Sequence, residues 1–520
     1  MPGRKDVNER VTLTAVRDAF LRGDFERCVA LCEQYHARGD GDEVEIQLLE
    51  ARALLPLNRA GQALDVLRRL QPSDDVHDEQ LVKTMLTGAA YVKLGQVDRG
   101  IELLRNAHAN ADSAHPTVRA DIAVNLGIAR YSKRQYTLSL EALRTVPEDA
   151  DIVHARALLY LAWVAWGETD YETAADRFES TLRRIDACRH YDRYVEAYAL
   201  YGYALLCAEL PRLKLWNDIS RRIERFDWTA SGLALPRFWL SVAASYVTEM
   251  LGALDDSRAW ASQAEEQAPS PSCRIVALCR QAALFGPYGE TAAHRFFVDR
   301  ARRQYDILGR EDGLRDEHYL PLTLAEEVVQ STSFDAAEAL LTYYREAQAP
   351  RVKEHPDEPK LEAHRSGIEG ALYAARGDRT RARRSYLTAL HRFQAIGFGR
   401  SASIIACRLL PITDERRYRD YAEQTMRDAS PAYWVRARLA QTITAVPITP
   451  AQAEVLRLVA DGMTNKQIAA TRGISFFRAR NSVAELLAAF GAKNRAELGK
   501  IAVARGIVYG PHDDRRGRVG

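Results

Sequence analysis

The stretch Glu168-Thr169-Asp170-Tyr171-Glu172-Thr173-Ala174 decides the fold of this 520-residue chain, because loose copies of it recur along the sequence. Each copy is a polar turn, often with a glycine, followed by a bulky residue and, three places later, a small one. A distant copy is Arg376-Gly377-Asp378-Arg379-Thr380-Arg381-Ala382. The earlier small positions follow one another at steps of 35, 37, 39 and 35 residues. They are Cys28, Ala63, Gly100, Ser139 and Ala174.

The length of the repeat has a mechanical explanation. Two helices of about 14 residues with two short turns occupy roughly 34–40 residues, which is one helical hairpin. A small side chain is needed where the second helix crosses the first, because it lets the two backbones approach closely. A single hairpin cannot bury its apolar stripe, so neighbouring hairpins are expected to stack into an α-solenoid. This pattern resembles tetratricopeptide repeats over roughly residues 10–440, in a degenerate form.

The repeat signal is uneven along the array. Between residues 195 and 350 the period blurs, although amphipathic helices continue. The stretch Pro350–Pro359 contains three prolines and no periodicity, so we expect a surface loop and a candidate hinge there. The sequence thus predicts four segments. They are a repeat array at 1–440, a linker at 441–447, a second domain at 448–508 and a disordered tail at 509–520.

Capping residues define three helices in the second domain. Thr449 is a good N-cap before a helix that Gly462 ends. Thr464 caps a short helix, and Gly473 provides the tight turn after it. Ser475 then caps a longer helix. A short helix, a turn with glycine and a longer helix form the layout of a helix-turn-helix motif, whose second helix enters the major groove of DNA.

These residues resemble the LuxR/FixJ-type helix-turn-helix family of bacterial transcription regulators over about residues 446–508. The resemblance implies a four-helix DNA-binding domain that usually acts as a dimer. Its fourth helix, here about Arg495–Arg505, often forms the dimer contact in that family. The expected fold class is therefore all-α, a tetratricopeptide-like solenoid with a C-terminal four-helix helix-turn-helix domain. The matching pieces are Thr449-Pro450, Glu454-Val455-Leu456-Arg457-Leu458, Gly462, Thr464-Asn465-Lys466-Gln467-Ile468-Ala469, Ile474-Ser475 and Gly491-Ala492-Lys493-Asn494-Arg495.

The departures from the family lie in the recognition helix, where sequence is read. The family usually has Thr-Val-Lys and then a His two places on, after a Ser and two variable residues. This chain instead has Arg478, Ala479 and Arg480, with Ser482 in place of the His. The Arg-Lys pair that is frequent before the closing Leu-Gly is here Ala488-Ala489. The operator is therefore expected to differ from those of the family.

Individual contacts with DNA can still be assigned. Lys466 is expected to pair with a phosphate as a point charge. Arg478 is expected to reach a base edge, preferably guanine, or its phosphate, with Arg480 or Asn481 beside it. Phe477 could touch a thymine methyl group, and the cations after the helix suit phosphate clamping. The alternative is a merely solvated basic face. The predicted DNA-binding residues are Lys466, Ser475, Phe477, Arg478, Arg480, Asn481, Lys493 and Arg495.

Charge is unevenly distributed between the two parts of the chain. Residues 446–520 hold twelve Lys and Arg against six Asp and Glu, a net charge of +6. The whole chain carries +2, so residues 1–445 carry −4. A basic C-terminal block on a slightly acidic body predicts that only the former meets an anionic partner.

Aromatic residues crowd one region of the array. Helical solenoids present concave surfaces, where aromatic side chains with polar tips would suit a peptide or a small ligand. Packing between helices at a spacing of three and four residues is the more frequent reason for such a pattern, and we favour it. The possible ligand or peptide surface consists of Tyr160, Trp163, Tyr194, Tyr198, Tyr201 and Trp216.

Other classes of function find little support in the sequence. Hydrophobic residues make up 47% and charged residues 27%, which excludes a largely disordered or collagen-like chain. No phosphate-binding loop of the G-x-x-x-x-G-K-[ST] type occurs, and no catalytic constellation stands out. Cys28 and His36 would lie about 12 Å apart along one helix, too far to share one metal ion. We therefore expect no enzyme, no metal and no cofactor, in a cytoplasmic protein without a signal peptide or a membrane span.

The sequence predicts a bacterial transcription regulator of the LuxR family. The array would sense a small ligand, a peptide or a protein and control the C-terminal domain, which would bind double-stranded DNA as a homodimer. The alternative is a protein–protein interaction scaffold whose altered helix-turn-helix no longer reads DNA specifically.

Overall fold

The computed structural model shows a chain of helices, with no β-strand in the part of the chain that it describes. The structure describes residues 12–37, 44–71, 77–210, 216–229, 232–310, 318–331, 333–353, 357–413, 415–427, 450–490 and 492–504.

The helices of the array follow one another in antiparallel pairs joined by short turns. They are α1 (Leu13–Leu21), α2 (Phe25–Ala37), α3 (Val44–Leu54), α4 (Ala60–Arg69), α5 (His77–Lys93), α6 (Val97–Ala109), α7 (Pro116–Ser132), α8 (Tyr136–Arg144), α9 (Asp151–Gly167), α10 (Tyr171–Asp186), α11 (Arg193–Glu209), α12 (Trp216–Arg225), α13 (Ala234–Met250), α14 (Leu254–Glu266), α15 (Pro271–Ala283), α16 (Thr291–Arg310), α17 (Leu320–Gln330), α18 (Phe334–Tyr343), α19 (Ala349–Val352), α20 (Glu358–Ala375), α21 (Arg379–Ala395), α22 (Gly399–Thr413) and α23 (Arg417–Thr425).

The small residues of the repeat lie where the two helices of a hairpin cross. All five predicted positions, from Cys28 to Ala174, are buried on the second helix of a hairpin. At the crossing of α5 and α6, a Cβ atom added to Gly100 would lie 2.7 Å from the carbonyl oxygen of Gly88. At the crossing of α7 and α8, the hydroxyl of Ser139 donates a hydrogen bond to the carbonyl of Gly127 at 2.7 Å. The prediction of a tetratricopeptide-like α-solenoid is confirmed.

The repeat continues through the region where its sequence signal blurs. In α13 and α14, the hydroxyl of Ser257 donates to the carbonyl of Ser245 at 2.7 Å, again with twelve residues between the partners. Ala325 and Ala337 are both fully buried on α17 and α18 with the same spacing. The sequence pattern missed both hairpins, although the turn between α13 and α14 carries Gly252 with φ at +84°. The sequence between α17 and α18, Ser331-Thr332-Ser333, has no glycine.

The stretch Pro350–Pro359 is more helical than the sequence predicts. A short π-helical segment, Tyr344–Gln348, continues α18 and leads directly into α19, which contains Pro350. Pro359 lies in the first turn of α20. Proline is tolerated in the first turn of a helix because its missing N–H would have no partner there. Pro350 and Pro359 thus mark the starts of two helices. Of the residues between these helices, the structure describes Lys353 and Asp357, and both are non-helical.

The chain divides into two compact units. The first comprises residues 1–207 and 215–243, and the second comprises residues 208–214 and 244–520. Within the first unit, the N–H of Tyr191 donates to the carbonyl of Leu21 at 3.3 Å. The rings of Phe25 and Tyr194 are 5.2 Å apart. The start of α11 therefore packs against the first hairpin of its own unit.

Four further helices in the second unit have a core of their own. They are α24 (Pro450–Ala460), α25 (Asn465–Arg472), α26 (Phe476–Phe490) and α27 (Arg495–Ala504). Leu456, Ile468, Leu486 and Leu498, one from each helix, are almost fully buried together. The expected four-helix domain is present. The linker predicted at 441–447 and the tail predicted at 509–520 lie outside the described residues.

No helix among the described residues is both long and apolar enough to cross a membrane.

Candidate nucleic-acid interface

Two local caps fix the start of the short helix and of the longer one that follows it. The Oγ1 of Thr464 accepts a hydrogen bond from the N–H of Gln467, whose Oε1 accepts one from the N–H of Thr464 at 2.8 Å. This reciprocal pair is a capping box. Gly473 ends α25 with φ at +62°, a conformation that favours glycine. The Oγ of Ser475 accepts from the N–H of Arg478 at 3.2 Å and so caps α26.

The turn between α25 and α26 sets how the second helix is presented. Ala479, Val483, Leu486 and Phe490 of α26 are buried in the core of the domain. The positions between them are exposed or half-buried. One face of α26 is therefore fixed by packing, and the opposite face is available to a partner.

The predicted reading residues lie on the available side of α26. Ser475, Phe477, Arg478, Arg480 and Asn481 are all exposed. Phe477 is 67% exposed, an unusual position for a phenylalanine. The neighbouring Phe476, which the sequence analysis did not single out, is 47% exposed, and the two ring centroids are 6.0 Å apart. The guanidinium of Arg480 lies 5.5 Å from the ring centroid of Phe477.

The cations of this domain fall into two groups. Arg472 pairs with Glu454 at 2.7 Å, and Arg457 lies 3.8 Å from Asp461. By contrast, four exposed cations have no acidic partner within salt-bridge distance among the described residues. These are Lys466, Arg478, Arg480 and Lys493, which cluster in sequence around α25, the start of α26 and the start of α27.

Arg495 has a different position from the one that a phosphate clamp requires. Its Nη1 donates to the Oδ1 of Asn465 at 2.6 Å, and its Nη2 donates to the carbonyl of Met463. Burial lowers the pKa of this guanidinium. Arg495 thus ties α27 to the first residue of α25 and to Met463 before it, a positioning contact that its sequence spacing did not reveal. Its predicted contact with phosphate remains a prediction.

The comparison with known families identifies this part of the chain. Residues 446–502 match the family described as bacterial regulatory proteins, luxR family, also called GerE. These residues form a LuxR-family helix-turn-helix domain. In the LuxR-type domain, α25 is the first helix of the helix-turn-helix motif, and α26 is the second helix, for which DNA reading is predicted.

Solved structures that are similar to a large part of the chain include two assemblies. One is a Rap protein complexed with Competence and Sporulation Factor, with 12% identity and a TM-score of 0.39, covering 73% of this chain and 99% of that chain. The other is the APC/C hetero-tetramer Cut9–Hcn1, with 14% identity and a TM-score of 0.36, covering 84% of this chain and 87% of that chain. A search of the curated proteins found no match.

The aromatic residues predicted to form a ligand surface divide into two sets, all within the first unit. Trp163, Tyr194 and Trp216 are buried. Trp163, for example, packs edge-on against Phe178 with the ring centroids 4.8 Å apart. Their burial agrees with helix packing, the alternative favoured from the sequence, and the ligand surface remains a prediction. The other three are half-buried. They are Tyr160, Tyr198 and Tyr201.

The half-buried tyrosines share their unit with charged side chains that sequence reasoning missed. Asp121 of α7 bridges Arg52 of α3 at 2.9 Å and Arg156 of α9 at 2.8 Å. Tyr160 follows Arg156 by one helical turn, and burial raises the pKa of its hydroxyl to about 12. Burial also raises the pKa of the Asp192 carboxyl, more strongly than Arg156 lowers it. Because these partners are 35 and 69 residues apart, no local pattern connects them.

Proposed function

We propose that the protein is a bacterial DNA-binding transcription regulator. The observation that carries this proposal is a set of four exposed cations around an exposed helix, Lys466, Arg478, Arg480 and Lys493, which have no acidic partner within salt-bridge distance among the described residues. Arg472 and Arg457 of the same domain lie beside Glu454 and Asp461, so their charge is partly neutralised where it lies. Unpaired Lys and Arg at a helix-turn-helix motif suit the phosphates of double-stranded DNA.

The test of this proposal is DNA binding by the full chain across a salt series. Each phosphate contact contributes about 0.9 to the slope of log affinity against log salt. We expect the double substitution Arg478→Ala and Arg480→Ala to reduce that slope by about 2 and to weaken binding. Arg457→Ala is the matched control, because Arg457 lies beside Asp461 within the same domain. An unchanged slope in the double variant would contradict the proposal.

We propose further that the repeat array senses a ligand, a peptide or a protein and thereby controls the LuxR-type domain. The half-buried Tyr160, Tyr198 and Tyr201 support a site in the first unit, because they combine apolar rings with polar tips. The hydroxyl of Tyr160 also interacts with Arg156. Binding there would shift the population of conformations that are competent for DNA.

Thermal unfolding with a panel of amino acids, nucleotides and short peptides tests the sensing site. A compound that raises the melting temperature of the wild type but not of Tyr198→Ala supports this location. Stabilisation that survives in Tyr198→Ala together with Tyr201→Ala would exclude it.

The remaining features of the proposal follow from DNA binding. A homodimer is proposed because helix-turn-helix proteins commonly read two half-sites with two copies of the recognition helix. A cytoplasmic location is proposed because a bacterial chromosome lies there. A binding function without catalysis is proposed because both folds present surfaces for partners.

A second function is favoured by one observation, the exposure of Phe476 and Phe477. Exposed aromatic residues are frequent at protein interfaces. In this alternative, the array is an interaction scaffold and the LuxR-type domain docks a protein. The salt series separates the two functions, because an apolar contact between proteins lacks the steep slope of phosphate neutralisation.

A further inference from the structure

The recognition helix has a definable outward face. Its buried residues Ala479, Val483, Leu486 and Phe490 mark the direction of the core. An α-helix turns by roughly 100° per residue, so each other position has a known angle from that direction. Five residues lie within about 50° of the point opposite the core. They are Phe477, Asn481, Ala484, Glu485 and Ala488, and all five are exposed.

The two arginines lie on the flanks of this face. With the same turn per residue, Arg478 and Arg480 lie roughly 100° from the core direction on opposite sides of α26. Both are exposed and have no acidic partner within salt-bridge distance among the described residues. A helix in the major groove has its outward face on the base edges and its flanks near the two phosphate backbones. The flanks are therefore where cations suit phosphates.

The central residues have a distinct recognition chemistry. Phe477 presents a ring that is 67% exposed in the first turn of α26, the part of a recognition helix that contacts base edges. An apolar ring matches the 5-methyl group of thymine, which is the apolar group in the major groove. Asn481 is one turn further along, and an asparagine amide matches the N6 and N7 of adenine.

Glu485 lies at the edge of this face, where its carboxylate accepts a hydrogen bond from the Nε2 of Gln452 in α24 at 3.1 Å. The rest of the outward face permits close approach. Ala484 and Ala488 continue the stripe of Phe477 and Asn481 along α26. Their short side chains leave the helix free to lie deep in the groove, so that Asn481 can reach a base edge. A longer side chain at either position would hold the helix away from the DNA.

We infer that this chain reads an A·T-containing half-site, with Phe477 on a thymine methyl group, Asn481 on an adenine, and Arg478 and Arg480 on phosphates. The inference rests on the proposed DNA-binding function and specifies its ligand. The sequence left two contacts open for Arg478, a base edge, preferably guanine, or its phosphate. The inference chooses the phosphate, because the packed face of α26 places Arg478 on a flank.

Selection of binding sites from a random duplex library by the full chain tests the assignment. The wild type is expected to select sites with a T and an A within one half-site. Arg478→Ala and Arg480→Ala are each expected to select the same sequence with weaker affinity and a salt slope smaller by about 1. Asn481→Ala is expected to lose about tenfold discrimination at the adenine.

Replacement of thymine by uracil isolates the contact of Phe477. The selected duplex is prepared with deoxyuridine at the contacted thymine, a change that removes only the methyl group. The wild type is expected to bind the uracil duplex about fourfold more weakly, the value for one buried methyl-sized group. Phe477→Ala is expected to bind both duplexes equally, and circular dichroism should show an unchanged fold because the side chain is exposed.

The possible results separate the inference from the function on which it rests. If the wild type selects no sequence at any salt concentration, the proposed DNA-binding function fails. If it selects guanine-rich sites and Arg478→Ala changes that selection, DNA binding stands and this inference is overturned. The inference is also overturned if Phe477→Ala retains sensitivity to uracil, or if it changes the oligomeric state in light scattering and leaves selectivity intact.

Discussion

At the scale of single residues, the same side-chain type has different roles in the LuxR-type domain. Arg478 and Arg480 are exposed and have no carboxylate partner within salt-bridge distance in the described part of the domain. Arg495 donates two hydrogen bonds within the protein. The sequence alone does not distinguish these three arginines. Only the folded geometry separates Arg478 and Arg480, which are available to a partner, from Arg495, which holds the domain together.

The role of Arg495 leads to a stability prediction. Arg495→Ala leaves Asn465 and the carbonyl of Met463 without their donors, so we expect the domain to lose about 1–3 kcal/mol. Hydrogen–deuterium exchange of the amides of α24–α27 measures this loss as faster exchange. The control is Lys493→Ala, an exposed substitution whose effect should stay within about 0.5 kcal/mol. Equal exchange in the two variants would contradict the positioning role.

The lowered pKa of His364 in the second unit leads us to expect that the stability of the protein depends on pH. Burial lowers the pKa of its ring to about 4, more strongly than the carboxylate of Glu326 raises it. An unfolded histidine has a pKa of about 6.5, so the unfolded chain binds the proton first as the pH falls. The contribution of His364 to the free energy of unfolding is therefore fully present above about pH 6.5 and is lost progressively as the pH falls towards 4.

Urea unfolding at several pH values measures the effect of His364. We expect the wild type to lose about 1–3 kcal/mol more than His364→Gln between pH 6.5 and 4.5. The comparison between the two proteins removes the contribution of the other titrating groups. Parallel stability curves would show that His364 does not carry the dependence.

At the scale of elements, the hairpin is the unit that a local pattern can predict. The small residue and the glycine-containing turn are close in sequence, and both are required by the crossing of two adjacent helices. The Gly88–Gly100 and Gly127–Ser139 crossings could therefore be predicted from the sequence. The Ser245–Ser257 crossing could not, because a serine on each helix is a weak signal until the hydrogen bond between them is seen.

Two glycines on neighbouring hairpins provide a matched prediction. Gly100→Ala places a Cβ atom 2.7 Å from the carbonyl oxygen of Gly88, so α5 and α6 must separate, and we expect a loss of about 1–3 kcal/mol. Gly61→Ala in α4 meets no atom within 4 Å and should stabilise the chain by up to about 1 kcal/mol. Chemical denaturation of both variants checks the signs. A destabilised Gly61→Ala or a neutral Gly100→Ala would contradict this account of the crossings.

At the scale of the whole molecule, charge is divided between a body of −4 and a C-terminal block of +6. The acidic body should not itself attract DNA, so the basic block is expected to account for the electrostatic part of binding. If the protein acts as a dimer, two recognition helices require two half-sites about one helical turn of DNA apart. Selected sites should therefore be inverted repeats with a centre-to-centre spacing of about 10 base pairs.

Light scattering of the protein on such a duplex checks this prediction of a dimer. The expected mass is that of two chains on a duplex with both half-sites and of one chain when one half-site is scrambled. A single chain on the intact duplex would contradict the dimer, although not DNA binding itself.

The sequence by itself determined the all-α class, the hairpin period and the helix-turn-helix domain, because caps, turns and small crossing residues are local signals. The tertiary structure alone decided which side chains are available to partners. Asp121 joins Arg52 and Arg156, and Arg495 joins Asn465, across distances of 30 to 69 residues in sequence. The packed face of α26 likewise places Phe477 and Asn481 outward and the arginines on the flanks. Contacts between distant residues depend on how elements pack, and no periodicity within one element contains that information.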